Sequence, residues 1–399
     1  MLSKIRKKKL ESNIWKFYLY RLFCSLILIN PIFVLFLQRN NLNMTQIMLL
    51  QSVYTLCIML SVVPFGVIAD YIGRKKVLIF SSILYTIGWF VYGAGYNFLD
   101  FIIAETIMGI SAGTWMASGS AFFYDTLKEL GKESRYKRLF GNIVSIDNIT
   151  IAFGALIGGY IASYSNNFRI TFWISGLMVF IGLLISFSFT ATKQFKHADK
   201  HYFLHLKEAS KFAAKHPRLR LFIIYSAITM SIIFAVFIMI QPYLKLIKIP
   251  LVYFGAVYFA MNLLGAAGAK IAHKVENYLG ERRILMIMLI IFIVSVFGMA
   301  RGIIFLGVIF PIVIFFIGGI FQPVISDYLN KHIESYHRAT VLSLQTLLTE
   351  GISAVSSPFF GWLVDFWSLK TAFIAATIIL IINLFILIGA FTIIRRRER

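Results

Sequence analysis

The sequence predicts an all-α membrane protein of twelve transmembrane helices in two pseudo-symmetric six-helix bundles. Three observations predict it: a long series of apolar runs, basic residues gathered in loops of one parity, and a repeat relating the halves of the chain. Hydrophobic residues make up 59% of the 399 positions and charged residues 14%, against about a quarter charged in a soluble domain. Phe alone occurs 39 times, and mean hydropathy is +0.80.

A bilayer core of about 30 Å is crossed by roughly 20 apolar residues as a helix. Runs of that length are expected at about 15–37, 45–69, 77–96, 99–125, 138–163, 168–190, 219–244, 250–272, 283–301, 303–327, 339–365 and 370–394. They are continuous, unlike the alternating strands of a barrel, and a helix satisfies its own backbone in lipid.

A net charge of +22 could suit nucleic acid, but its distribution argues for a membrane. Lys4, Arg6, Lys7, Lys8 and Lys9 precede the first run. Arg74, Lys75 and Lys76 follow the second, and Lys128, Lys132, Arg135, Lys137 and Arg138 follow the fourth. Further Lys and Arg fill 193–220, Lys270, Lys274, Arg282 and Arg283 surround a later loop, and Arg395, Arg396, Arg397 and Arg399 end the chain. The opposite loops hold little beyond Arg39, Arg169, Lys245, Lys248, Arg301 and Lys370. This asymmetry places both termini in the cytoplasm and requires an even number of spans.

Along the chain, the first run is too long for a signal-peptide core and lacks a small-residue cleavage site, so no cleavable signal is expected. Arg21 lies one or two turns inside span 1 and is expected to snorkel to the inner headgroups, with a substrate-binding role as the alternative. Cys24 and Cys57 sit in apolar runs as small buried residues, not as a disulfide or metal pair.

Span 2 ends in Gly66-Val67-Ile68-Ala69-Asp70-Tyr71-Ile72-Gly73-Arg74-Lys75-Lys76. Gly66 and Gly73 would allow close helix approach and a sharp turn. Asp70 would cap a helix N-terminus or pair with a cation, and Arg74 and Lys75 would stay at the anionic inner surface. Asp125 and Asp327 end spans 4 and 10, where Arg135, Arg138 or Arg338 could pair with them.

The polar stretch 191–218, with an amphipathic segment near 203–215, divides the chain into an N-terminal bundle (1–190), a cytoplasmic linker (191–218) and a C-terminal bundle (219–399). The bundles repeat. Asp70 to Leu78 matches Asn277 to Leu285 at an offset of 207, and Gly154 to Gly158 matches Ser357 to Gly361 at 203. Glu133-Ser134-Arg135-Tyr136 is echoed by Glu334-Ser335-Tyr336. Such a repeat implies a pseudo-twofold axis along the membrane normal and a solute site near the midplane.

Ionisable residues inside a bilayer cost about 2.5–3.5 kcal/mol each on insertion scales, which makes them functional candidates. Glu105 in span 4, Asp147 in span 5 and Glu350 in span 11 stand out. Asp147 and Glu350 share the 203 offset and both fall near mid-membrane. Asp147, Gly154 and Gly158 share one helix face, expected to meet another helix. Either carboxylate could hold a proton or a cationic solute, since desolvation favours a carboxyl group's neutral form. The alternative is a polar contact between helices, through Asn142, Asn148, Gln345 or a Thr.

The loop after span 2 resembles the signature loop of the major facilitator superfamily, Gly-x-x-x-Asp-x-x-Gly-Arg-Lys. The span number, half repeat and charge bias are similar along the whole chain, and Ser118 to Leu127 resembles prokaryotic permeases and drug exporters. The resemblance implies the major facilitator fold and a latch at Gly66, Asp70, Gly73, Arg74 and Lys75 that closes the cytoplasmic side. It also implies a cavity lined by spans 1, 4, 7 and 10, where Asn30, Phe33, Trp115, Phe237, Gln241, Tyr243 and Gln322 are candidates. Two departures stand out: Glu105 occupies the place of the family's Arg before Gly109, and Gly154-Ala155-Leu156-Ile157-Gly158-Gly159 lacks the Pro of the antiporter motif.

No phosphate-binding loop, metal-ligand spacing or nucleophile–base set is visible, so neither a cofactor nor an enzyme is expected. The reading is a monomeric secondary transporter in a prokaryotic cell membrane, exchanging protons for a small organic molecule outward. A nutrient symporter or uniporter and a non-transporting sensor are the alternatives.

Overall fold

The computed structural model describes residues 3–165, 167–193, 216–331 and 338–397. Among them are thirteen α-helices: α1 (Lys4–Ser25), α2 (Phe33–Arg39), α3 (Met44–Ile72), α4 (Arg74–Ala94), α5 (Phe98–Glu129), α6 (Tyr136–Ser165), α7 (Arg169–Phe187), α8 (Pro217–Leu246), α9 (Phe254–Leu279), α10 (Glu281–Arg301), α11 (Ile309–Lys331), α12 (Arg338–Phe366) and α13 (Leu369–Arg397). The eleven from α3 onward are long and apolar enough to cross a membrane. The amphipathic segment at 203–215 and the Glu334-Ser335-Tyr336 echo lie outside the described residues.

The expected first span is not one helix. α1 stops at Ser25 and α2 starts at Phe33. Pro31 supplies no amide N–H and disfavours helical geometry at Asn30, so 26–32 runs as an unwound segment.

The chain forms two compact units. One holds 1–42, 53–198 and 251–259; the other holds 43–52, 199–250 and 260–399. In the first unit α4 packs on α5 and α7, and α1 packs on α5, α6 and α7. Phe17, Tyr20, Phe122, Phe123 and Phe189 form an aromatic core with Leu127 and Ile143. Gly109 and Gly113 bring α5 against α3: an added Cβ would stand 2.6 Å from the Tyr54 carbonyl oxygen and 2.8 Å from that of Ile58. Small residues four apart permit such approach.

The start of α1 is pinned by side chains. Arg6 pairs with Glu129 at 2.7 Å and Lys132 with Glu11 at 2.9 Å. The Lys132 hydrogen bond and charge hold the Glu11 carboxyl below its usual range. Buried Asn13 donates to the Thr190 carbonyl and accepts from the Thr190 N–H, both at 2.9 Å.

In the second unit α8 packs on α12 and α13, and α10 on α11 and α13. The α8–α12 seam is polar: Ser231 donates to the Thr349 carbonyl at 2.8 Å, and Gln345 to the Ser226 hydroxyl at 3.3 Å. Asp365 caps α3, accepting from the Met44 and Thr45 N–H groups at 2.9 and 2.7 Å and from the Thr45 hydroxyl at 2.6 Å. A carboxylate there complements the positive end of the helix dipole.

Two turns repeat across the chain. Gly73 opens α4 with φ of 96°, and Gly280, 207 residues later, opens α10 with φ of 72°. Left-handed geometry favours glycine at both. Gly66 behaves otherwise than expected. No described atom lies within 4 Å of a Cβ placed there, so it marks no close helix approach.

Candidate functional site

The first unit holds a charged pair where a lipid-spanning protein can least afford loose charge. Arg21 and Ser25 lie four apart on the last turn of α1, and so on one face. Asp147 on α6 meets both. The Arg21 Nε donates to its two oxygens at 3.0 and 3.2 Å, Nη2 donates at 2.9 Å, and the Ser25 hydroxyl donates at 2.6 Å. The two charged side chains are 16% and 17% exposed. This two-pronged fork is the strong geometry for an arginine–carboxylate pair.

Glycines let α6 come this close. A Cβ on Gly154 would stand 2.7 Å from the Ile27 carbonyl oxygen, and one on Gly158 would overlap that of Leu28. Both glycines thus receive the unwound backbone that follows Ser25. Gly159 meets Gly255 instead, at 2.6 Å from its nitrogen. The Leu28 N–H donates to the Ser175 hydroxyl at 3.0 Å, which fixes the unwound strand from α7.

Trp115 on α5 completes the cluster. Its ring centroid lies 4.3 Å from the Arg21 guanidinium carbon, inside cation–π range. Gly119, one turn on, leaves the slot for that indole; a Cβ there would stand 2.8 Å from the ring. The indole N–H is buried with no partner among the described residues.

Two expectations are corrected here. Arg21 does not snorkel to headgroups, because the Asp147 carboxylate and the Trp115 face give it a nearer electrostatic home. Asp147 bonds Arg21 and Ser25, not Asn142 or Asn148, which are exposed.

The other intramembrane carboxylates are held differently. Glu105 is buried at 4% exposure and accepts from the Tyr92 hydroxyl at 2.5 Å. Phe33 and Phe101 flank that tyrosine ring at 5.7 and 5.6 Å. Glu350 on α12 is half-buried beside the α8–α12 seam, yet its carboxylate makes no hydrogen bond or ion pair with any described residue.

At the end of α3, Arg74 joins two acids. It lies 3.1 Å from Asp125 and 3.6 Å from Asp70. Asp125 therefore takes its cation from the signature loop and not from the loop after α5, because the Gly73 turn returns Arg74 to the α5 end. Asp327 pairs with Lys331 on its own helix, and Lys331 also reaches Glu276 at 3.2 Å. Lys75 donates to the Phe187 carbonyl.

The cavity candidates scatter. Asn30 sits in the unwound segment and Trp115 is covered by Arg21. Gln241 is buried at 3% exposure. Tyr243 is spent on the Gly307 carbonyl at 3.0 Å, and Phe237 lies against Phe315. Gln322 is exposed, with the Met230 sulfur 3.5 Å from its amide nitrogen. Among the described residues, no three His, Cys, Asp or Glu converge as a metal site.

Comparison with known proteins agrees with this architecture. The profile of the Major Facilitator Superfamily matches residues 22–355. A 171-residue stretch is 26% identical to the quinolone resistance protein NorA of Staphylococcus aureus, covering 43% of this chain and 42% of that protein. The chain thus aligns with less than half the length of that relative. A mutant form of the nucleoside transporter NupG superposes with a TM-score of 0.80 at 15% identity, over 96% of this chain and 99% of that one. A bacterial homolog of the human lysosomal transporter Spinster, inward-facing and unoccupied, gives 0.69 at 12% identity, over 98% of each. At such identities these structures speak to fold alone.

Proposed function

Because this chain belongs to the Major Facilitator Superfamily, and is therefore a multi-pass secondary transporter and not an enzyme, we propose that it exports a small amphipathic organic molecule in exchange for protons. The setting is a bacterial cytoplasmic membrane with both termini inside, and the mechanism is alternating access by a monomer built of two six-helix bundles, 1–190 and 219–399.

The observation that carries the proposal is that the Glu350 carboxylate makes no hydrogen bond or ion pair with any described residue. A charge without a partner inside a membrane is costly, so this group gains by taking up a proton. A group that must reload on each cycle cannot be locked by a permanent cation. Asp147 is so locked by Arg21; it organises the helix packing, and Glu350 carries the coupling proton. Glu105, held by the Tyr92 phenol, is the second candidate for that proton. The similarity to a quinolone resistance protein supports outward movement of a drug-like solute.

The test uses purified protein in proteoliposomes, an imposed pH gradient and a fluorescent lipophilic cation as probe. The wild type is expected to move the probe against its gradient and to shift lumenal pH in the opposite sense. Glu350→Gln is expected to keep probe counterflow, which needs no proton, and to lose the response to the pH gradient. Gradient-driven movement at wild-type rate in Glu350→Gln would sink the assignment.

A further inference from the structure

We propose that the cytoplasmic end of α7 is an anionic phospholipid site, with Lys16 and Lys75 gripping the headgroup phosphate and one acyl chain lying along the α1–α7 seam. Lys16 on α1 donates to the Ser188 carbonyl at 2.8 Å, and Lys75 at the start of α4 donates to the Phe187 carbonyl at 3.1 Å. Two ammonium groups from two helices thus converge on adjacent carbonyls at the C-terminus of a third.

Charge bookkeeping at this spot does not close within the protein. A helix C-terminus offers roughly half a negative charge, and two lysines face it. Neither forms an ion pair with a described carboxylate, and each repels the other across the same helix end. An ammonium group has three donors. One from each lysine is spent on a carbonyl, which leaves two on each for the oxygens of an incoming anion.

The surroundings say which anion. Trp15, Leu19 and Leu22 form an exposed apolar stripe on α1 at 54%, 39% and 37% exposure; Leu184 and Phe187 are exposed on α7 at 52% and 53%. Those side chains face acyl chains in a bilayer, and an exposed Trp beside a Lys marks the headgroup level. The Lys16 ammonium lies 5.9 Å from the Trp15 ring, at that boundary. A free anion would use the lysines and leave the stripe idle, whereas an anionic phospholipid uses both. A zwitterionic headgroup would bring its own cation to a place already over-supplied. The site lies within the first compact unit and is independent of what the protein transports.

The experiment compares phosphatidylglycerol, phosphatidylcholine and inorganic phosphate as ligands of the delipidated, full-length protein in detergent, read by native mass spectrometry. Two lysines near a membrane surface correspond to roughly a thirtyfold preference for phosphatidylglycerol over phosphatidylcholine. The Lys16→Gln/Lys75→Gln pair is expected to lose that preference and the Lys16→Arg/Lys75→Arg pair to keep it. Wild-type preference in the Gln pair overturns the site, as does displacement of phosphatidylglycerol by millimolar phosphate. Crosslinking of a photoactivatable phosphatidylglycerol to the wild type asks the same question without a substitution. Label on the Trp15–Leu22 and Leu184–Phe187 peptides supports the site, and label confined to other peptides overturns it.

Discussion

Asp147 and Glu350 occupy corresponding places in the repeat, and the protein treats them in opposite ways. Asp147 accepts a two-pronged arginine and a serine hydroxyl, with the arginine roofed by Trp115. Glu350 stands next to a seam of hydroxyls and amides and makes no hydrogen bond or ion pair with any described residue. On the proposed reading one carboxylate serves structure and its counterpart carries the proton, and what separates them among the described residues is a cation within reach of Asp147. The neighbouring glycines diverge less: Gly158 receives the Leu28 carbonyl, and its counterpart Gly361 receives that of Met44.

The sharpest way to break the comparison is Asp147→Asn. It leaves the Arg21 charge largely buried without its counter-ion, a change that costs roughly 3–5 kcal/mol in soluble proteins. The expected result is a large drop in thermal midpoint in detergent, or failure to isolate monodisperse protein. Arg21→Met with Asp147→Asn is expected to recover most of that loss, because removing both charges is far cheaper than stranding one. Full stability in Asp147→Asn would mean that the pair is incidental, and the contrast with Glu350 would collapse.

A smaller effect is expected at the glycine. Gly158→Ala drives a methyl group into the Leu28 carbonyl, and overpacking of this kind costs about 1–3 kcal/mol. Because the contact is to backbone, α6 has to move away from the unwound strand, which lengthens the Asp147–Arg21 bonds. Thermal melts of Gly158→Ala in the wild-type background and in the Arg21→Met/Asp147→Asn background sharpen the point. Non-additive losses would show that glycine packing and ion pair act as one unit; simple addition would show that they do not.

Much of this was legible in the sequence, and the illegible parts have physical reasons. Hydropathy exposes spans and the rare charges within them, so Glu105, Asp147 and Glu350 stood out from composition. The Gly73 turn was readable because only backbone geometry is at issue. Hydropathy reads straight through Leu26–Ile32, since unwinding changes hydrogen bonding and not polarity; Pro31 was the signal that could have revealed the break. The Arg21–Asp147 pair was hidden because pairing is decided by which helices touch, although an arginine and an aspartate set inward from the ends of their spans in the same half of the chain were a usable hint. Trp115 gave no sign of carrying a guanidinium, and nothing in the sequence singled out Asp365, whose capping role depends on α3 lying beside the end of α12.

The smallest effect on the fold is expected from Glu350→Gln, and its smallness is the informative result. A carboxylate with no described partner contributes no ion pair or hydrogen bond that its amide would lose. Glutamine keeps the side-chain length and removes the cost of holding a charge away from water. The thermal midpoint should therefore stay within the scatter of ordinary surface substitutions, about 0.5 kcal/mol, or rise. It should also lose whatever dependence on pH this group confers, because an amide has no proton to exchange. Melts of wild type and Glu350→Gln over a range of pH make the comparison directly. Curves that separate at high pH, where the glutamate is charged, and converge at low pH, where it is neutral, would identify an uncompensated acid. A destabilisation as large as that of Asp147→Asn would show that Glu350 has a partner after all, and the division of labour between the two carboxylates would be lost.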